Sequence, residues 1–182
     1  MNSCAITGHR PVRFKWKYQE NDTRCKRLKR RMQEQFILLY EQGVRHFYVG
    51  GALGVDMWAG EILLRLKEQP EYSGIELMIV LPFEGHDIDW DDRSRRRIEF
   101  LIRHSTKTIV IGTADEPAIA YRERNYYMVD HADCLLAVYD NGRNLRSGTG
   151  MTVHYAEKKG LPVILIHPDT GYVSYILRSA EQ

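Results

Sequence analysis

The chain has 182 residues, 43 % of them hydrophobic and 27 % charged, with a formal net charge of +2. That is the composition of one soluble globular domain, residues 1–182, long enough to bury roughly 70 % of its unfolded surface. It excludes a disordered, collagenous or disulfide-framed chain, and no apolar stretch approaches the length of a membrane span or a signal peptide, so a cytoplasmic protein is expected. The three cysteines, Cys4, Cys25 and Cys134, are odd in number and widely spaced, and Cys4 and Cys134 fall in apolar runs that suit buried thiols.

In chain order, a short apolar strand over 3–7 ends at Gly8-His9-Arg10-Pro11. A helix over about 23–42 follows, with Leu28, Met32, Phe36 and Leu39 on one face and Gly43 placed to stop it. Next come a strand over 45–49, the turn Gly50-Gly51-Ala52-Leu53-Gly54-Val55-Asp56, and a helix from Val55 to Lys67. A strand over 76–81, a helix over 93–104 and a strand over 108–111 continue the alternation. A helix over 118–131, a near-continuous apolar strand over 134–139, a helix over 152–159 and a last strand over 162–166 complete it. Strands that lack inside–outside alternation are covered on both faces, and repeated β–α alternation predicts a parallel sheet. The fold class expected is therefore α/β: a Rossmann-like, doubly wound, mostly parallel sheet flanked by helices. In such sheets ligands bind beyond the carboxyl ends of the strands, which directs attention to the loops 8–11, 50–56, 82–92, 112–117 and 140–150.

Two of those loops are rich in glycine. The 50–56 turn links a strand to a helix, where bare N–H groups and the positive end of the helix dipole suit an anionic group. It has neither dinucleotide nor P-loop spacing. A second loop of the same type, Ser147-Gly148-Thr149-Gly150, opens a later helix.

Four ordered motifs then carry a resemblance. Ile6-Thr-Gly-His-Arg-Pro11, Gly50 to Asp56, Arg124-Asn-Tyr-Tyr-Met-Val-Asp-His-Ala-Asp133 and Ser147-Gly-Thr-Gly-Met-Thr-Val-His-Tyr-Ala156 span nearly the whole chain. Together they resemble the SLOG superfamily, which groups DprA/Smf-like and LOG-like proteins, and within it the YpsA-like branch. The resemblance implies a Rossmann-like domain that binds a nucleotide or nucleotide-derived small molecule, as a sensor or as a hydrolase or transferase acting at an N-glycosidic bond. LOG-like members are phosphoribohydrolases. Glu123-Arg124-Asn125 matches their Glu-Arg-Lys segment with Asn125 in place of Lys, and Gly148-Thr149 matches their second loop. Their catalytic Glu falls on Thr152, which is no acid or base at neutral pH, so the binding role carries over and the reaction lacks its carboxylate.

The candidate ligand-binding residues are Gly8, His9, Arg10, Gly50, Gly51, Ala52, Gly54, Asp56, Arg124, Asn125, Ser147, Gly148, Thr149 and Thr152; the candidate catalytic residues are Asp56, Arg124 and Asp140. The loop amides suit phosphate or ribose hydroxyls, although glycines also serve tight turns. Asp56 suits either ribose hydroxyls or the N-terminus of its own helix. Arg124 suits a bidentate phosphate or carboxylate, or else a solvated helix face. His9 suits phosphate or proton transfer, or a plain polar loop. Asp140 suits a sugar or a water, and Asp140-Asn141-Gly142 is equally an ordinary turn. Asp87, Asp89, Asp91 and Asp92 crowd one loop but lack EF-hand spacing, and no Cys or His pair has zinc spacing; no metal or cofactor is assigned. Two basic runs, Arg24 to Arg31 and Arg93 to Arg97 with Trp90 before it, raise the alternative of a DprA-like single-stranded nucleic-acid-binding protein, against a solvated face balanced by acids. Related folds dimerise through flanking helices, so self-association is expected.

Overall fold

A computed structural model describes residues 1–142 and 147–176. Six parallel strands and one antiparallel edge strand form a single sheet in the order β4-β3-β2-β1-β5-β6-β7. The strands are β1 (Ser3–Gly8), β2 (His46–Val49), β3 (Glu76–Leu81), β4 (Lys107–Val110), β5 (Cys134–Val138), β6 (Val163–Ile166) and β7 (Val173–Ile176). The helices are α1 (Thr23–Glu41), α2 (Val55–Lys67), α3 (Asp92–His104), α4 (Pro117–Asp130) and α5 (Gly148–Lys158). This is the mostly parallel, helix-flanked α/β sheet expected. Among the described residues no helix is long and apolar enough to cross a membrane.

The central strands are apolar at successive positions because both faces are covered. Cys4 and Ile6 of β1, with Cys134, Leu136 and Val138 of β5, enter the core beneath α1, α2 and α3. The intervening Ala5, Leu135 and Ala137 face Met128 and Val129 of α4 and Val153 and Ala156 of α5. Helix α2 is the most deeply buried helix, with Trp58 at its centre. Against Trp58 lies an aromatic plug from the β1–α1 connection: Phe14 stacks on Trp16 at 4.7 Å and meets Trp58 at 5.3 Å. The sequence assigned no element to that connection. All three cysteines are buried and free.

Three features differ from the sequence reading. Helix α5 begins at Gly148 rather than Thr152, because Ser147 caps it: the Ser147 hydroxyl accepts from the Gly150 N–H at 2.9 Å. The second glycine loop is thus the first turn of a helix. Strand β7 was not anticipated; it is a four-residue edge strand without a buried face to give it a pattern. Trp90, grouped with the arginine run in the nucleic-acid alternative, packs edge-on against His86 at 5.2 Å and against the core.

An ion network fastens the plug segment to the helices. Arg97 of α3 bonds both Glu20 and Glu61, and Lys29 of α1 bonds Glu20 at 2.8 Å. Burial alone would raise the Glu20 carboxyl, but Arg97 and Lys29 outweigh it and hold it at about 2, below the ordinary 4.5. The unfolded chain therefore binds this proton more readily, and the stabilisation is full above pH 4.5 and lost as pH falls toward 2. Glu20→Gln is expected to lower stability at neutral pH and to flatten the acid limb of urea unfolding midpoints measured across that window; an unchanged limb would contradict the assignment.

Candidate functional site

The strand order places a switch point between β1 and β5: the chain leaves β1 toward β2, β3 and β4, then returns to β5 and continues to β6 and β7. Loops leaving the carboxyl ends of β1 and β5 diverge there and open a crevice. A cleft of about 260 Å³ occupies it, lined by Gly8 at the end of β1 with His9 and Arg10 after it, Ala52 and Asp56, Tyr121, Arg124 and Asn125 of α4, and Ser147 capping α5 with Gly148 and Thr149 of its first turn. Ten candidates from four separate chain segments meet in this one cleft. A side lobe of about 40 Å³ shares Arg10, Ala52, Tyr121 and Arg124 with it and ends on His86 and Trp90.

Arg124 is the pivot. Its side chain is carried by a turn of α4 into the interior, leaving the residue only 5 % exposed. The Nε–H donates to Asn125 Oδ1 at 2.8 Å, and Nη1 donates to the Gly50 carbonyl. Among the described residues no carboxylate forms an ion pair with it. Gly50 is required for this approach, since a Cβ there would collide with Arg124 Nη1 and lie 2.7 Å from Asp56 Oδ2. Burial pushes the guanidinium below its ordinary value, opposed by the Asp56 charge; an arginine nonetheless stays charged at neutral pH. Arg10 supplies a second cation, 5.2 Å above the Tyr121 ring, with Arg124 5.6 Å from the same ring.

Asp56 is 7 % exposed, and its Oδ2 accepts from the Ala52 N–H at 3.2 Å. Burial raises its carboxyl above the ordinary 3.8, against the opposing pull of Arg124, the Ala52 N–H and Arg10. At the far wall, Gly148 and Thr149 occupy the first turn of α5, and no described residue accepts from their N–H groups. These amides sit at the positive end of the helix dipole and point an anion-binding end at the cleft. His9 lies edge-on between Phe14 at 6.3 Å and Tyr139 at 5.9 Å. Burial lowers its imidazole, with Arg13 adding to the effect and Asp140 opposing it, so it is neutral at pH 7.

Other candidates lie outside the lining. Gly50, Gly51 and Gly54 sit behind it and shape the loop. Gly54 has φ +85°, and a Cβ there would be 2.6 Å from the His9 carbonyl oxygen, so it lets the two loops touch. Gly51 offers its carbonyl to His86 Nε2 at 2.9 Å. Thr152 is 1 % exposed and donates back to the Gly148 carbonyl at 2.8 Å. Asp140 accepts from the Gly142 N–H at 3.0 Å in the turn arrangement. Asp91 caps α3, accepting from Ser94 N–H at 3.1 Å, and no group of three metal-ligating side chains occurs among the described residues. Tyr121 and His86 were not singled out from sequence. Tyr121 carries a signal, lying three residues before Arg124 on one helix face; His86 carries none beyond its place in the 82–92 loop.

With this cleft in view, the comparison with known proteins is decisive about kinship. The model of the YspA SLOG family matches residues 4–170. The chain belongs to that family. Similar curated proteins include the UPF0398 protein YpsA of Bacillus subtilis, 23 % identical over 93 % of this chain and 94 % of its own. A UPF0398 protein of Bacillus cereus is 26 % identical over 88 % of this chain and 85 % of its own. One from Halalkalibacterium halodurans is 30 % identical over 64 % of this chain and 61 % of its own.

The site's electrostatics make a prediction about stability. Asp56 holds its proton more tightly folded than unfolded, so its contribution is full below pH 3.8 and is lost as pH rises through the raised folded value. Asp56→Asn is therefore expected to be at least as stable as the parent protein at pH 7. Its advantage should shrink as thermal melts move toward pH 4. A variant less stable at pH 7 would show that the ionised carboxylate is stabilising.

Proposed function

We propose that the switch-point cleft binds a phosphate-bearing nucleotide or nucleotide-derived small molecule. The observation that carries this reading is Arg124: a buried arginine, only 5 % exposed, with no carboxylate ion pair among the described residues, lining the cleft with the α5 first turn. An isolated buried charge is costly, and an anion seated between Arg124, Arg10 and the Gly148–Thr149 amides would offset that cost with charge-assisted hydrogen bonds. Asp56 repels such an anion, so it suits sugar hydroxyls set one step away, and the Tyr121 ring offers a flat wall. Family membership supports a nucleotide-related ligand.

Cleavage at an N-glycosidic bond is a second reading, favoured by the position of Asp56 as the carboxylate lining the cleft. Thr152 is turned back on its own helix and takes no part in it.

A thermal-shift series with nucleoside monophosphates, NAD and ADP-ribose tests the reading. At a ligand concentration of about 100 Kd, stabilisation should be about 2.7 kcal/mol. Arg124→Met should abolish the shift from any effective nucleotide, and Asp56→Asn should weaken it. Free base detected by chromatography in the parent and absent in Asp56→Asn would establish the hydrolytic reading. No shift with any phosphate-bearing compound would refute the binding reading.

A further inference from the structure

A second surface lies on the outer face of α2 and α3, away from the switch-point cleft. A groove of about 740 Å³ runs between the two helices and is lined by Leu64 and Phe100 together with Arg65, Lys67, Arg93 and Arg96. The other charged residues in it are Arg97 and Glu61, which neutralise one another, and Glu68. Arg65, Lys67, Arg93 and Arg96 form no ion pair among the described residues, so four cations oppose the single carboxylate of Glu68.

Helix electrostatics account for only half of these cations. Arg65 and Lys67 lie in the last turn of α2, where the dipole favours positive charge. Arg93 lies in the first turn of α3, where the dipole disfavours it, and Arg96 follows one turn later. Among them Phe100 is 51 % exposed and meets His104 at a centroid separation of 4.1 Å, the two rings tilted by 31°. A large exposed ring lining the same groove as these guanidinium groups offers a stacking surface beside a phosphate track.

We propose that this groove binds a single-stranded polynucleotide, its phosphates on Arg93, Arg96, Arg65 and Lys67 and one base on Phe100. An acidic peptide would satisfy the cations but leave the ring without a flat partner. A duplex would keep its bases stacked away from a ring set between two helices. Phosphates and a base face are common to ribose and deoxyribose strands, so both kinds of strand bind.

Fluorescence anisotropy with the full chain and labelled oligo(dT) and oligo(U) of about 12 nucleotides tests this. Both strands should bind, more weakly at about 200 mM than at 50 mM salt. Arg93→Gln and Arg96→Gln should each make the logarithmic salt slope shallower, by about 0.7 for every phosphate that the substitution leaves unneutralised. Phe100→Ala should weaken binding by about five- to a hundredfold and leave the salt slope unchanged. Arg124→Met should bind strands as the parent does, which separates this groove from the cleft. All three groove side chains are exposed, so melting temperatures should stay near the parent value. No binding at low salt, equal competition by polyglutamate, or loss of binding in Arg124→Met with the groove variants unaffected would each overturn the proposal.

Discussion

Placing a positive charge inside this protein is the constraint around which the site is organised. Arg124 enters the interior from α4 and is met by a backbone carbonyl, that of Gly50, and by the amide oxygen of Asn125. Both are neutral acceptors, so they satisfy hydrogen bonds without cancelling charge. Asp56 lies near enough for the two charges to pull against each other's desolvation, yet burial still dominates at both groups. The balance left over is a cleft with positive bias and a carboxylate at its edge. A side chain at position 50 would occupy the space of the guanidinium, so one glycine determines whether that charge enters at all.

The remainder of the fold holds these parts in register. Helix α2 begins directly beneath the cleft, and its Trp58 is clamped by Phe14 and Trp16 from the segment that follows His9 and Arg10. Glu20, at the far end of that segment, is tied to α1 and α3 through Lys29 and Arg97. The residues that carry His9 and Arg10 into the cleft are therefore anchored on both sides, by β1 and by this network. Four cations of the first basic run of the sequence are held by carboxylates or a carbonyl. Arg24 pairs with Asp22, Lys29 with Glu20 and Arg31 with Glu34, while Arg27 donates to the Asp169 carbonyl. The α3 run divides: Arg97 and Arg95 pair with carboxylates, and Arg93 and Arg96 face the groove.

Much of this architecture was legible from residue order. Apolar runs without alternation at β1 and β5 marked a sheet covered on both faces, and the loops after them marked the cleft, so Gly8, His9 and Arg10 could be placed on one sheet edge from sequence. Arg124, on α4, was indicated instead by the resemblance of Glu123-Arg124-Asn125 to the LOG-like Glu-Arg-Lys segment. The failures have physical causes. Gly148 and Gly150 lower helix propensity, which hid the start of α5, although the Ser147 cap overrides it. Trp90 neighbours the arginines in sequence, but the turn before α3 directs its ring inward to His86. The contacts of Gly50 and Gly54 are made to residues distant in the chain, and a glycine has no local pattern to announce them. Strand β7 has only an edge to pair with and no face to bury.

The most direct measurement is calorimetric titration of the parent protein with a nucleoside monophosphate and with the matching nucleoside. If an uncancelled guanidinium and the α5 amides define the site, the phosphate-bearing compound should bind at least about tenfold more tightly, a difference of about 1.4 kcal/mol. Arg124→Met should erase that difference while leaving the nucleoside's own affinity nearly unchanged. Equal affinities for the two compounds, or a preference for phosphate that survives Arg124→Met, would contradict the account.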